Sequence, residues 1–194
     1  MAKPFKSTRR GITGALEPGE ARLLGALLDD VVTMLEPDTA PSEDPLAALA
    51  ALVGMSGADA EATAPDDSAV RRLLPDAVRG DDDEALAFRR LTERSLREQK
   101  IGALRGSALL IESSPMTLND DQARLLAQAL NDVRLVLADR LSIESEEDAE
   151  RLHDIADSKD VDDVESYLAL VYNFVTWLQE SLVQAMLKAA RLDR

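Results

Sequence analysis

Cysteine is absent from the 194 residues of this chain. That removes disulfides, thiol nucleophiles, cysteine-ligated zinc and any thiol redox switch from what the chain can do by itself, and it accords with a reducing, cytoplasmic setting. Histidine occurs once, as His153, so no paired-histidine metal motif can be assembled. Aromatic residues are scarce: three phenylalanines, two tyrosines and one tryptophan. No run approaches the about 18 uninterrupted apolar residues of a membrane span. Lys3, Lys6, Arg9 and Arg10 open the chain, but no apolar segment of about 7–15 residues follows, so this is not a secretory signal. Positive charge is also in deficit, with 22 basic against 37 acidic residues and a net charge of −15. That balance disfavours broad contact with nucleic acid or anionic lipid and favours basic partners.

What is present is helical periodicity. Over residues 161–191, Val164, Leu168, Val171, Val175, Leu178, Leu182, Ala185 and Ala189 recur at steps of four and three, which keeps them on one helix face. A second stripe, Tyr167, Leu170, Phe174 and Trp177, widens that face, so neighbours are expected on more than one side of this helix. The reading is an all-α single domain, residues 1–194, of five or six helices around a long C-terminal helix. A chain of this size buries roughly 70% of its unfolded surface without staples.

Residues 1–16 form a basic arm, and the runs around Phe5 and Ile12 either pair as a short hairpin or stay loose. Glu17-Pro18 starts a helix, because proline suits the first turn and acids favour the positive helix end. Its buried face is Leu24, Leu27, Val31 and Met34, and Pro37 stops it. Ser42 to Pro45 opens an Ala- and Leu-rich helix ended by Gly54. Residues 55–69 read as a mobile acidic loop, and residues 67–74 as a short helix. Asp81, Asp82 and Asp83 cap a long helix from about Glu84 to Ile111, with core faces at Leu86, Phe88 and Leu91 and at Ile101, Leu104, Ala108 and Ile111. The Asp81–Asp83 cluster lacks the spaced ligands and glycine of a calcium loop, so capping is the preferred role. After Ser113-Ser114-Pro115, Asn119 or Asp120 caps a helix to Arg140 with a strict repeat at Ala123, Leu126, Leu130, Val133 and Leu137. A further short helix is expected near Glu146 to Ile155. It carries His153 with Glu150, Asp154 and Asp157 in reach, but a lone imidazole among carboxylates is more often solvated than metal-bound.

Two polar groups are candidate sites. Arg89, Arg90, Arg94, Arg97, Lys100 and Arg105 form a basic island in an acidic chain, and Arg90, Arg94 and Arg97 share a helix face. They either grip a partner's carboxylates or phosphates, together with Arg9 and Arg10 of the arm, or pair internally. No aromatic residue interleaves with them and no recognition-helix motif surrounds them, which weighs against a nucleic-acid site. Asn131, Asp132 and Arg134 are expected as a buried polar centre that specifies the bundle, with Asp132 facing the arginines. No catalytic motif, phosphate loop or metal-ligand spacing occurs, so no cofactor or metal is expected and the weight moves from enzyme to binding module.

Several segments in order carry a family resemblance: Leu16-Glu17-Pro18-Gly19-Glu20-Ala21-Arg22-Leu23-Leu24, Leu73-Leu74-Pro75-Asp76-Ala77, Phe88-Arg89-Arg90-Leu91-Thr92-Glu93 with Leu96-Arg97 and Lys100, Leu130-Asn131-Asp132-Val133-Arg134-Leu135 with Arg140-Leu141, and Tyr172 with Trp177-Leu178-Gln179-Glu180-Ser181-Leu182-Val183-Gln184. Together they resemble an actinobacterial family of unknown function that includes the actinomycete oxidative-stress regulator, AosR. The resemblance implies a cytoplasmic, non-enzymatic regulator of transcription that contacts a stress sigma factor. In the studied branch a cysteine pair near the N-terminus is the switch, and residues 1–16 here contain none, so thiol sensing does not carry over. The resemblance brings over the helical scaffold and its polar positions Arg90, Arg97, Asn131, Asp132 and Arg134. The alternatives are a DNA-binding regulator acting through the basic arm and a metal-dependent hydrolase built on the carboxylates near His153. Whether the apolar faces close within one chain or across a homodimer is open at this stage.

Overall fold

The computed structural model describes residues 2–36, 64–78, 80–145, 147, 148, 151 and 164–192. Their order is β1 (Lys3–Thr8), β2 (Gly11–Ala15), α1 (Pro18–Leu35), α2 (Ser68–Leu73), α3 (Asp82–Glu112), β3 (Met116–Leu118), α4 (Asp120–Arg140) and α5 (Val164–Leu192). The expected helix at 42–54, the loop from 55 to 63 and the group around His153 lie outside the described residues.

Local chemistry sets the helix starts where the sequence places them. Glu17 and Glu20 form a reciprocal capping box at α1. Asp67 caps α2, Asp81 caps α3 by accepting from the Glu84 amide, and Asn119 with Gln122 caps α4. Asp67 starts the short helix expected over residues 67–74, and Ser68 and Ala69, which the acidic loop was also expected to include, are already helical.

The fold is mostly helical, but it is not all-α. The arm forms a β1–β2 hairpin, and β3 joins it as a third antiparallel strand in the order β1-β2-β3. Ile12 pairs with Leu118 and Gly14 with Met116, while Phe5, Ile12, Met116 and Leu118 are buried on the inner face. Two glycines permit this closeness. Gly11 has φ +120°, and a Cβ there would lie 2.5 Å from the Leu118 carbonyl oxygen. A Cβ on Gly14 would lie 2.5 Å from the Phe5 ring. Ser114 seals the junction, its hydroxyl accepting from the Leu16 amide and donating to the Leu16 carbonyl, both at 2.8 Å.

The central element also differs from expectation. Helix α4 packs against α1, α2, α3, α5, β2 and β3, whereas α5 packs on α4, β1 and β2. Ala123, Leu126, Ala129, Leu130, Val133 and Leu137 bury α4 on more than one side. In α5, Val171, Val175, Leu178, Leu182 and Ala185 are buried as the repeat requires, and Tyr172 joins them. Val164 is exposed instead, and the stripe Tyr167, Leu170 and Trp177 is not covered. Periodicity measures the width of an apolar face but does not say what lies against it.

Candidate functional site

The basic island of α3 is largely consumed inside the fold. Arg89, which is buried, donates to Glu93 at 2.6 Å, to the Leu74 carbonyl at 3.0 Å and to Asp76 at 2.7 Å. The same Glu93 binds Arg97, whose guanidinium also donates to the Leu35 carbonyl at 2.9 Å. These two arginines thus clamp the end of α1 and the 74–76 turn onto α3. Arg105 pairs with Glu36, and Arg94 pairs with Glu98 on the exposed face. Arg90 is exposed. Arg90, Arg94 and Arg97 therefore do not act as one free face: Arg97 is internal, and Arg94 is tied along its own helix.

Near its start α3 also departs from expectation. It buries Ala85 and Arg89, while Phe88 and Leu91 stand exposed beside a cleft of about 430 Å³ formed with the Leu74–Ala77 turn.

The expected polar centre divides in two. Asp132 is buried and accepts from the Lys100 ammonium at 2.7 Å, so its partner is the lysine of α3 and not an arginine. Burial raises the Asp132 pKa above its ordinary value, against the lowering effect of Lys100. Arg134, two residues along α4, turns to α5: it donates to Gln179 at 2.6 Å and lies 5.9 Å from the Tyr172 ring centroid. Its Nε is buried without a partner. Asn131 is exposed, so it does not belong to a buried centre. It borders a second cleft, of about 360 Å³, between α3 and α4, with Gln99 and Gln128 beside it and the Lys100–Asp132 pair in its lining.

Two outward surfaces remain. The hairpin turn presents Arg9 and Arg10, both exposed, and Lys3 and Lys6 are exposed along β1. On α5, Tyr167 is 52% exposed and Leu170 and Trp177 are each 37% exposed, with Phe174 stacked on Trp177 at a centroid distance of 6.5 Å. Sequence reasoning singled out this stripe but assigned it to the core. The missed signal is its aromatic content, since tyrosine and tryptophan suit half-wet surfaces.

Among the described residues, no group of three or more histidines and carboxylates is placed to hold a metal. Nor is any of the described helices long and apolar enough to cross a membrane. No match to the chain was found among curated proteins or among solved structures. One family profile, described as a domain of unknown function (DUF2017), matches residues 2–186. That span takes in both clefts, the hairpin and the α5 stripe, and on it the chain belongs to the DUF2017 family.

Proposed function

We propose that the protein is a non-enzymatic regulator that works by binding another protein through the outer face of α5. The observation that carries this reading is the partly exposed stripe of Tyr167, Leu170 and Trp177, with the half-buried Phe174 stacked on Trp177. Three large, partly exposed side chains on one helix, two of them aromatic, have the composition of an interface centre, and contiguous exposed apolar patches mark such sites. The basic hairpin tip, Arg9 and Arg10, is the second contact surface, acting on register and encounter rate more than on affinity. The resemblance to the oxidative-stress regulator family supports a cytoplasmic role in transcription with a sigma factor as partner. Without cysteine, that role is independent of the chain's own thiols.

The test is affinity capture under reducing conditions, with bound proteins identified by mass spectrometry and the recovered partner then titrated in purified form. A Tyr167→Ser/Leu170→Ser variant is expected to keep its melting temperature and lose at least about tenfold in affinity, since truncating one central interface tyrosine costs about 2 kcal/mol. A sigma factor or other transcription component among the recovered proteins supports the finer reading. Capture of the same proteins by parent and variant argues against this surface. The hairpin, with four cations and no acid before Glu17, favours duplex DNA as the second reading; it requires binding that falls steeply with salt.

A further inference from the structure

We infer that the cleft between α3 and α4 is a binding site for a small zwitterion of the α-amino-acid class, held at the Lys100–Asp132 pair. The starting point is a contrast between two interhelical ion networks. Arg89 is saturated, its guanidinium engaging Glu93, Asp76 and a backbone carbonyl together. Lys100 and Asp132 share a single 2.7 Å bond. Among the described residues the ammonium has no other partner, and the second Asp132 oxygen accepts nothing. That oxygen is also not among the sealed unsatisfied atoms, and both residues line the cleft. The pair therefore offers further hydrogen bonds of both signs toward the open side.

The surroundings narrow the chemistry. Ala103 of α3 and Ala127 of α4 leave the space, because larger side chains at these lining positions would fill the gap between the two helices. Gln99, Gln128 and Asn131 line it with carboxamides, which both donate and accept. A simple anion would meet Lys100 but also the Asp132 carboxylate, and a simple cation would meet the reverse conflict. A molecule with an ammonium and a carboxylate one carbon apart satisfies both members and brings no net charge into the partly buried site. Leu96 and the two alanines then leave an apolar wall for a short side chain, with amides to read any polar end. The residual burial penalty on Asp132 agrees, since a ligand ammonium supplies the second donor that Lys100 alone does not.

The inference is independent of the α5 reading. It is tested by thermal shift and calorimetry on the full chain with each proteinogenic L-amino acid as probe. At least one is expected to raise the melting temperature, while its decarboxylated amine and its deaminated acid do not. Asp132→Asn is expected to weaken binding at least about tenfold, the loss of a charge-assisted hydrogen bond. Gln128→Trp, at an exposed rim position, is expected to block the cleft without moving the ligand-free melting temperature, and it decides the matter if Asp132→Asn does not fold. Absence of a shift with every amino acid overturns the inference. So does an equal shift with the one-charge analogues, or binding undiminished in Gln128→Trp.

Discussion

Lys100 and Asp132 show how one pair can cost and contribute at the same site. The Asp132 side chain is 5% exposed and that of Lys100 19%. Removing only the cation leaves a buried carboxylate without compensation, a change that costs about 3–5 kcal/mol when both groups are sealed. Because Lys100 keeps some solvent contact, Lys100→Met is expected to lose about 2–3 kcal/mol in denaturant unfolding at neutral pH. Asp132→Asn, which removes the charge and keeps the shape, is expected to stay within about 1 kcal/mol of the parent. Equal losses for the two would show that the charge on Asp132 is not the source of the cost. The residue-level outline of this pair was legible: the spacing put Asp132 toward the basic side of α3. Its partner was not, because Arg97 and Lys100 lie three residues apart on neighbouring turns, and the choice between them rests on the relative height of two helices, which no local pattern encodes.

At the scale of elements, capping chemistry was the most legible feature. Glu17-Pro18, Asp67, Asp81 and Asn119 each mark the start of a helix, since the side chain that satisfies the first amides lies within three residues of them. Strand β3 was not legible. Three residues with Met116 and Leu118 inward and Thr117 outward give too short an alternation to separate from a loop, and their partner strand is about a hundred residues away in sequence. The covering of α5 was half legible: its buried stripe could be read from Val171 onward, while the uncovered one looked the same in sequence. The hairpin supplies a test. Gly11→Ala forces a side chain into a φ of +120° and against the Leu118 carbonyl, so it is expected to destabilise by about 1–3 kcal/mol. Gly25→Ala in α1, where nothing lies within 4 Å of the new methyl, is expected to stabilise by up to about 1 kcal/mol. Thermal unfolding of the two variants should move in opposite directions, and a loss in both would mean that α1 is more tightly covered than its surface indicates.

For the whole molecule, charge dominates the response to pH. With a net charge of −15 the folded chain repels itself, so added salt at neutral pH is expected to raise the melting temperature. Acid acts in two stages of opposite sign. Asp132, raised by burial, takes up its proton above its ordinary 3.8, and that step favours the folded state. Asp67 is held below 3.8 chiefly by its hydrogen bond from Arg140, and Asp148 is held at about 2 chiefly by Ser145, with a bond from Arg151 assisting. Both stabilise fully above the unfolded value of 3.8 and lose that contribution as pH falls through their folded values. Melting temperature is therefore expected to rise modestly from pH 7 toward the weakly acidic range and to fall below about pH 4. A monotonic decline from pH 7 downward would show that self-repulsion and the Asp132 penalty are both small.

Strand β1 lies along α5, with the Phe5 amide donating to the Ser181 hydroxyl 176 positions later at 3.2 Å. Consider a force that draws Lys3 away from Arg191. It meets this seam before it meets the helices packed around α4. The mechanical strength of the molecule in that direction is thus set by how β1 is held, through its ladder to β2 and its seat on α5, and not by the buried leucines that set its equilibrium stability.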